Sequence, residues 1–88
     1  MKSFTKDSAA MLDYEVDWAL WLGTDTISVS SWTVPAGLTQ GSASNTDTVA
    51  RIWISGGVSG QSYIVTNHIS TAGGRVDERS FILFCQDL

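Results

Sequence analysis

The sequence predicts a single all-β domain, an antiparallel β-sandwich of two layers built from short strands. Three observations support this fold class. Glycine-rich breaks divide the 88 residues into short stretches, and apolar and polar side chains alternate within several of them. No helical stretch of about ten residues or more separates the stretches, which disfavours a parallel sheet with crossover helices. A hydrophobic fraction of 43% is enough for one small core.

The first elements follow from the alternation near the N-terminus. We assign residues 1–11 to an N-terminal arm and residues 12–88 to the single sandwich domain. From Leu12 onward apolar side chains alternate with carboxylates, which predicts a strand with one face in the core and an acidic outer face. One short helical turn is expected near Trp18–Leu22, because Asp17 can cap its free N–H groups and Gly23 can supply a left-handed exit.

The middle of the chain predicts two further strands and one uncertain segment. The stretch Asp25–Val34 is rich in β-branched residues, and its apolar positions change parity before Trp32, which indicates a β-bulge or burial on both faces. The stretch Thr39–Asp47 is dominated by small polar residues and is either a loop or a weak edge strand. Alternation resumes in Thr48–Ser55, which predicts the third strand.

A hairpin closes the predicted fold. Gln61–Ser70 and Arg75–Cys85 are two strand-like stretches joined by a turn that contains two glycines, which permit the positive φ values of tight turns. An immunoglobulin-like sandwich is the simplest closure of these strands. Tyr63, at the start of the penultimate strand, is expected to form a tyrosine corner in which its hydroxyl bonds back to an upstream carbonyl.

Charge and composition exclude several classes of function. Five Lys and Arg residues against nine Asp and Glu residues give a net charge of −4, without any basic run, which argues against nucleic-acid binding. No apolar stretch approaches the length of a membrane span or of a signal-peptide core, so no membrane contact and synthesis in the cytoplasm are expected. The single cysteine, Cys85, is expected to be a small core residue.

The residues with catalytic or metal-binding chemistry form no recognised constellation. Ser59 lies in a glycine-rich turn that lacks the spacing of a nucleophile elbow. His68 falls on the polar side of its strand and is expected to face solvent or a polar interface. Asp13, Glu15 and Asp17 are about 7 Å apart along a strand, too far to surround one calcium ion by themselves. We therefore predict no catalytic, cofactor-binding or metal-ligating residues.

The aromatic residues are the strongest indication of an interaction surface. Four tryptophans exceed what one small core readily accommodates, and tryptophan is enriched in protein interfaces. Trp18 is expected in the core, whereas Trp21, Trp32 and Trp53 are candidates for partial exposure. Together with Arg79, from the polar part of the last strand, Trp21 and Trp53 are the predicted interface residues.

Several stretches, spread over nearly the whole chain from Lys6 to Leu83, form a recognisable pattern. The pattern consists of Lys6-Asp7, Leu12-Asp13-Tyr14, Asp17-Trp18, Trp21-Leu22, Asp25-Thr26-Ile27, Trp32, Gly37-Leu38, Trp53-Ile54-Ser55-Gly56-Gly57, Gly60 through Asn67, Thr71-Ala72-Gly73-Gly74-Arg75 and Asp77-Glu78-Arg79-Ser80. It resembles a family of small tailed-bacteriophage structural proteins with an immunoglobulin-like fold, the phage fibre to tail adaptors. Ser8 replaces the proline usual in that family.

The resemblance implies a non-enzymatic structural protein of the virion, present in several symmetry-related copies. Its expected partners are other virion proteins, namely connector, tail, fibre or capsid proteins, and it would dock between larger ones at the neck, the tail or the fibre attachment region. Two alternatives stay open: a capsid decoration (cement) protein, and a carbohydrate-binding β-sandwich for host adhesion. Exposed aromatic rings and the lack of site chemistry are compatible with each.

Overall fold

The computed structural model describes residues 2–87, which form seven strands and one short helix. Most of the strands are formed by stretches in which apolar and polar side chains alternate or β-branched residues are frequent. The elements are β1 (Lys2–Asp7), β2 (Leu12–Asp17), α1 (Ala19–Leu22), β3 (Ile27–Thr33), β4 (Leu38–Asn45), β5 (Val49–Gly56), β6 (Ser62–Thr71) and β7 (Val76–Gln86).

The strands pair into two sheets that pack face to face. The four-stranded sheet has the order β1-β7-β6-β3, and the three-stranded sheet has the order β2-β5-β4. Neighbouring strands are antiparallel except β1 and β7, which are parallel. The predicted all-β sandwich with one short helix is confirmed, while the immunoglobulin-like relationship stays a prediction.

The core lies between the sheets and has two parts. Alternate residues of the central strands point inward, as the period of a strand requires, and Ile52, Val65 and Leu83 are fully buried. A second cluster forms at the α1 end around Trp18 and Ile69. Trp18 is completely buried, as predicted, and so is Cys85.

The predicted N-terminal arm is wrong, because Lys2–Asp7 forms β1 within the four-stranded sheet. Phe4 packs against the rings of Tyr14 and Phe81, with centroids 5.3 and 5.4 Å away. Lys6 is fully buried, and its Nζ donates hydrogen bonds to the carbonyl oxygens of Gly56 and Asp7 at 2.7 and 2.8 Å. Because β1 pairs in parallel with the last strand, no short turn in the sequence indicates the pairing. The inward-facing side of β1 also contains a lysine, so its sequence does not show the expected apolar alternation.

Most predictions for the middle and end of the chain are confirmed. β3 has an irregular register between Ile27 and Val29, which places the expected β-bulge at its start. The uncertain segment is the weak edge strand, β4, at the margin of the three-stranded sheet. β6 and β7 form the predicted hairpin.

The tyrosine corner needs one correction. The Tyr63 hydroxyl does not bond to an upstream carbonyl; it accepts a hydrogen bond from the backbone N–H of Val58 at 3.0 Å. Two glycines at positive φ precede Val58, and this turn presents the amide of the chain to the ring.

Candidate docking surface

The helix α1 closes one end of the sandwich. The Ala19 N–H donates to Asp17 Oδ1 at 2.9 Å, and Gly23 follows the last residue of the helix with a φ of 64°. Helical spacing turns Trp18 and Leu22 towards the core. The Trp18 indole Nε1 donates to the side chain of the buried Asn67 at 2.9 Å, which fixes the ring.

Two arginines from the β6–β7 hairpin stack on the tryptophans of this end. The Arg75 guanidinium lies 4.2 Å from the centre of the Trp21 ring, and that of Arg79 lies 4.3 Å from the centre of the Trp18 ring. The two indoles meet edge to face with centroids 5.4 Å apart. Arg79 also donates to the carbonyl oxygen of Asp17 at 3.0 Å. Cation–π stacking and hydrogen bonding therefore join the hairpin to α1.

Arg75 holds the C-terminal end of α1 in place. Its Nη2 donates to the Leu22 carbonyl at 2.8 Å and its Nη1 to the Trp21 carbonyl at 3.3 Å, so it satisfies two carbonyls at the end of the helix. Its Nε lies 3.1 Å from the Asp25 carboxylate. A hydrogen bond from Thr71, together with backbone N–H donors and Arg75, lowers the pKa of Asp25 to about 2. The Asp25 carboxylate is therefore ionised at neutral pH.

This bracing presents one apolar side chain to solvent. Leu20 is fully exposed, and Trp21 beside it is half-buried. We call Leu20, Trp21, Arg75 and Arg79 the α1 surface. Trp21 and Arg79 were predicted from the sequence, whereas Leu20 and Arg75 were not. Helical spacing could have identified Leu20, since a turn that buries residues 18 and 22 directs residue 20 outward.

A cleft of about 320 Å³ opens next to the α1 surface, between the edges of the two sheets. Phe4, Val16 and Phe81 supply its apolar lining. Side chains of both signs surround that lining. Two of them lie at the start of α1: Asp17 accepts from the Ala19 N–H, and Arg79 donates to the Asp17 carbonyl. The α1 surface thus continues into an amphipathic groove.

Trp53 lies elsewhere on the molecule. Its neighbours Ile52 and Ile54 point into the core, so Trp53 points to the outer face of the three-stranded sheet, where it is 37% exposed. Asp13 is its cross-strand neighbour on β2. The structure therefore brings Trp21 and Arg79 together at one end of the sandwich and places Trp53 on a separate face.

The acidic outer face of β2 is present, but an arginine partly neutralises it. Arg51 on β5 pairs with the Glu15 carboxylate and lies 3.7 Å from Asp13. These ion pairs raise the pKa of Arg51, chiefly through its hydrogen bond to Glu15. Arg51 and Trp53 are two residues apart on β5 and therefore place a cationic and an aromatic group side by side on the same exposed face.

The remaining candidate residues, His68 and Trp32, contact other side chains of the fold. His68 is half-buried on the outer face of the four-stranded sheet, where Nε2 lies 2.9 Å from the Thr33 hydroxyl and Nδ1 lies 2.8 Å from Glu78. Trp32 is half-buried and packs against Phe81. Residues 2–87 contain no group of three or more His, Cys, Asp or Glu side chains placed to hold a metal ion. Among the same residues, no helix has the length and apolar character needed to cross a membrane.

The chain is a small β-sandwich. At its α1 end two arginines stack on tryptophans and are held by hydrogen bonds to backbone carbonyls. Residues 6–84 match the family model described as Podophage GP4 fiber-tail adaptor protein gp77, and the chain belongs to that family. It is a phage fibre-tail adaptor structural protein, as the resemblance predicted. No curated protein matches the chain.

Proposed function

We propose that the protein docks between two larger virion proteins and contacts them through two different surfaces. The α1 surface would bind one partner, and the outer face around Trp53 would bind the other. The observation that carries the proposal is the fully exposed Leu20 on a helical turn that two arginines hold in place. Membership of the adaptor family supplies the class of partner, namely other virion proteins such as tail and fibre proteins.

The α1 surface has the properties of a protein-binding site. A rigid apolar projection loses little conformational entropy when it binds, and Leu20 stands on backbone already fixed by Arg75. Tryptophan and arginine are the residues most enriched among those that dominate binding energy. Both are present beside Leu20, as Trp21 and Arg79, and the adjacent apolar groove extends the surface.

The Trp53 surface provides the second contact that an adaptor needs. Its exposed indole lies on a strand between charged neighbours, Arg51 and the cross-strand Asp13. An aromatic ring within a polar surrounding is a common arrangement for a small interface. Since Trp53 lies on the outer face of the three-stranded sheet, away from α1, a partner bound there would leave the α1 surface free.

Cross-linking mass spectrometry on intact phage particles tests this arrangement. Particles would be assembled with the wild-type chain, Leu20→Ser, Trp53→Ser, or the control Val58→Ser, which truncates another exposed apolar residue, in the β5–β6 turn. We expect Leu20→Ser to lose the cross-links to one virion protein and Trp53→Ser to lose those to another. Val58→Ser should keep both sets.

Three other outcomes would contradict the proposal. If the wild-type chain is absent from particles, the virion role itself fails. If its cross-links reach the major capsid protein alone, the protein is a capsid decoration protein and bridges nothing. If both variants retain every cross-link at normal copy number, the two surfaces are not the docking sites. Circular dichroism of the purified variants controls for misfolding.

A further inference from the structure

The outer face of the four-stranded sheet differs from the rest of the molecular surface in charge. Its side chains come from alternate positions of four strands. Within the described residues, the only charged groups on it are Asp7, at one corner, and Glu78, which pairs with His68. The other positions are Ser3, Thr5, Val29, Ser31, Thr33, Ser62, Ile64, Thr66, Ser70, Val76, Ser80, Ile82, Phe84 and Gln86.

Two apolar spots lie on this face. At one end Ile64 is directly opposite Ile82 and diagonal to Phe84, and Ile64 and Phe84 are 55% and 43% exposed. At the other end Val29 and Val76 flank Ser70 in one cross-strand row, and both valines are well exposed. Two cross-strand rows separate the spots: the hydroxyl side chains of Thr33, Thr66 and Ser80, and the row of Ser31 with the His68–Glu78 pair. Exposed apolar patches of this kind on a small protein mark interaction sites.

We infer that this face binds the same face of a second copy of the chain. Charge is the first argument. A partner with charged groups opposite this face would have to desolvate them without receiving an opposite charge, which is costly. The face of a second copy satisfies this over most of its area, since apart from Asp7 and the His68–Glu78 pair it presents hydroxyl and apolar side chains. A two-fold axis would then make the contact self-complementary.

The area of the face agrees with a weak but specific dimer. Strands lie about 4.8 Å apart and rise about 3.3 Å per residue, so four strands over about eight residues cover on the order of 500 Å². Two copies would bury about 1,000 Å² in total, which is near the lower limit of specific protein interfaces. Sheets also pack readily face to face, with strand directions within about 30° of each other.

Sedimentation velocity over a range of protein concentrations tests the dimer. The wild-type chain should change from a species of 9.5 kDa to one of twice that mass as concentration rises. Ile64→Lys places a charge at the centre of the larger apolar spot and should raise the dissociation constant at least about tenfold. Ile64 is exposed in the single chain, so its replacement leaves the core intact.

The matched control is Val58→Lys, which adds the same charge at an apolar residue of the β5–β6 turn with nearly the exposure of Ile64, 57% against 55%, and should dimerise like the wild type. A wild-type chain that stays monomeric up to about 1 mM would overturn the inference. So would a dimer that survives Ile64→Lys, or one that Val58→Lys abolishes. None of these outcomes depends on the virion partners, so this inference can fail while the adaptor proposal stands, and the reverse.

Discussion

Tyr14 and Tyr63 differ in what their hydroxyl groups contact. The Tyr14 hydroxyl is buried in the core and has no hydrogen-bond partner among residues 2–87, whereas the Tyr63 hydroxyl accepts the Val58 amide. Burial, followed by the nearby Cys85 and Asp13, raises the pKa of Tyr14 to about 12. A phenol without a partner in the core opposes folding, and one that satisfies a backbone amide supports it.

We therefore predict opposite effects for the same chemical change. Tyr14→Phe should raise the free energy of unfolding by about 0.5–2 kcal/mol, because it removes an unpaired buried hydroxyl. Tyr63→Phe should lower it by about 1 kcal/mol, because the Val58 amide loses its acceptor. Urea unfolding at pH 7, followed by tryptophan fluorescence, measures both.

The pH dependence of the same variants provides an independent check. The folded pKa of Tyr14, about 12, lies above its unfolded value of 10.0. The unfolded chain therefore releases this proton first, and stability falls as the pH rises from 10 towards 12. Tyr14→Phe should flatten this part of the stability curve. Equal losses in the wild type and the variant above pH 10 would contradict the buried, unpaired phenol.

Single residues could be predicted from the sequence where their neighbours in the chain decide their environment. Trp18 ends an alternating apolar pattern, Cys85 ends a continuous apolar run, and both are buried. Leu20 and Lys6 show the opposite case. The exposure of Leu20 depends on the phase of one helical turn, and the burial of Lys6 depends on carbonyl oxygens of Gly56 and Asp7 that no sequence pattern reveals.

Among the elements, the turn between β5 and β6 has a strict conformational requirement. Gly57 has a φ of 102°, and a side chain added there would collide with Cys85 Sγ in the core. Gly60, in the same turn, has a φ of 88° but opens onto free space. Substitutions at Gly60 therefore measure backbone strain alone, whereas substitutions at Gly57 measure backbone strain together with overpacking.

We predict that Gly57→Ala destabilises the protein more than Gly60→Ala. Backbone strain alone should cost Gly60→Ala about 1–2 kcal/mol. Gly57→Ala adds a clash with a fully buried side chain, for a total of about 3 kcal/mol or more. Thermal and urea unfolding of both variants give the comparison, and similar losses for the two would show that the turn moves away from Cys85 easily.

The elements that the sequence predicted well are those defined by local patterns. The β6–β7 hairpin has a glycine turn between two strands, and α1 has its terminal signals in Asp17 and Gly23. β1 was missed because its pairing with β7 joins the two ends of the chain, and β4 was ambiguous because its small polar residues suit a loop equally well. The α1 surface could be predicted only in part, since Arg75 reaches Trp21 from a distant hairpin.

At the scale of the whole molecule, the two outer faces of the sandwich carry opposite chemistry. The three-stranded sheet exposes ion pairs around Arg51 and the indole of Trp53, whereas the four-stranded sheet exposes hydroxyl and apolar groups. An adaptor protein has to bind different partners through different surfaces, because a single surface that bound every partner would not fix the order in which the proteins are joined. Separate chemistry on separate faces allows this, since charged and uncharged surfaces reject each other's partners.

The response to salt distinguishes the contact between copies from any contact made of ion pairs. Each copy carries a net charge of −4 and repels the other, while the proposed contact face contributes few charges of its own. Raising the salt concentration from about 0.05 M to 0.5 M should therefore strengthen the dimer about threefold, because screening removes the repulsion. Sedimentation velocity at pH 7 measures the change, with Ile64→Lys as the variant that should stay monomeric at both concentrations. A dimer that weakens in salt would depend on ion pairs, such as those of Arg51 or Arg79, and would place the contact between copies on a different surface.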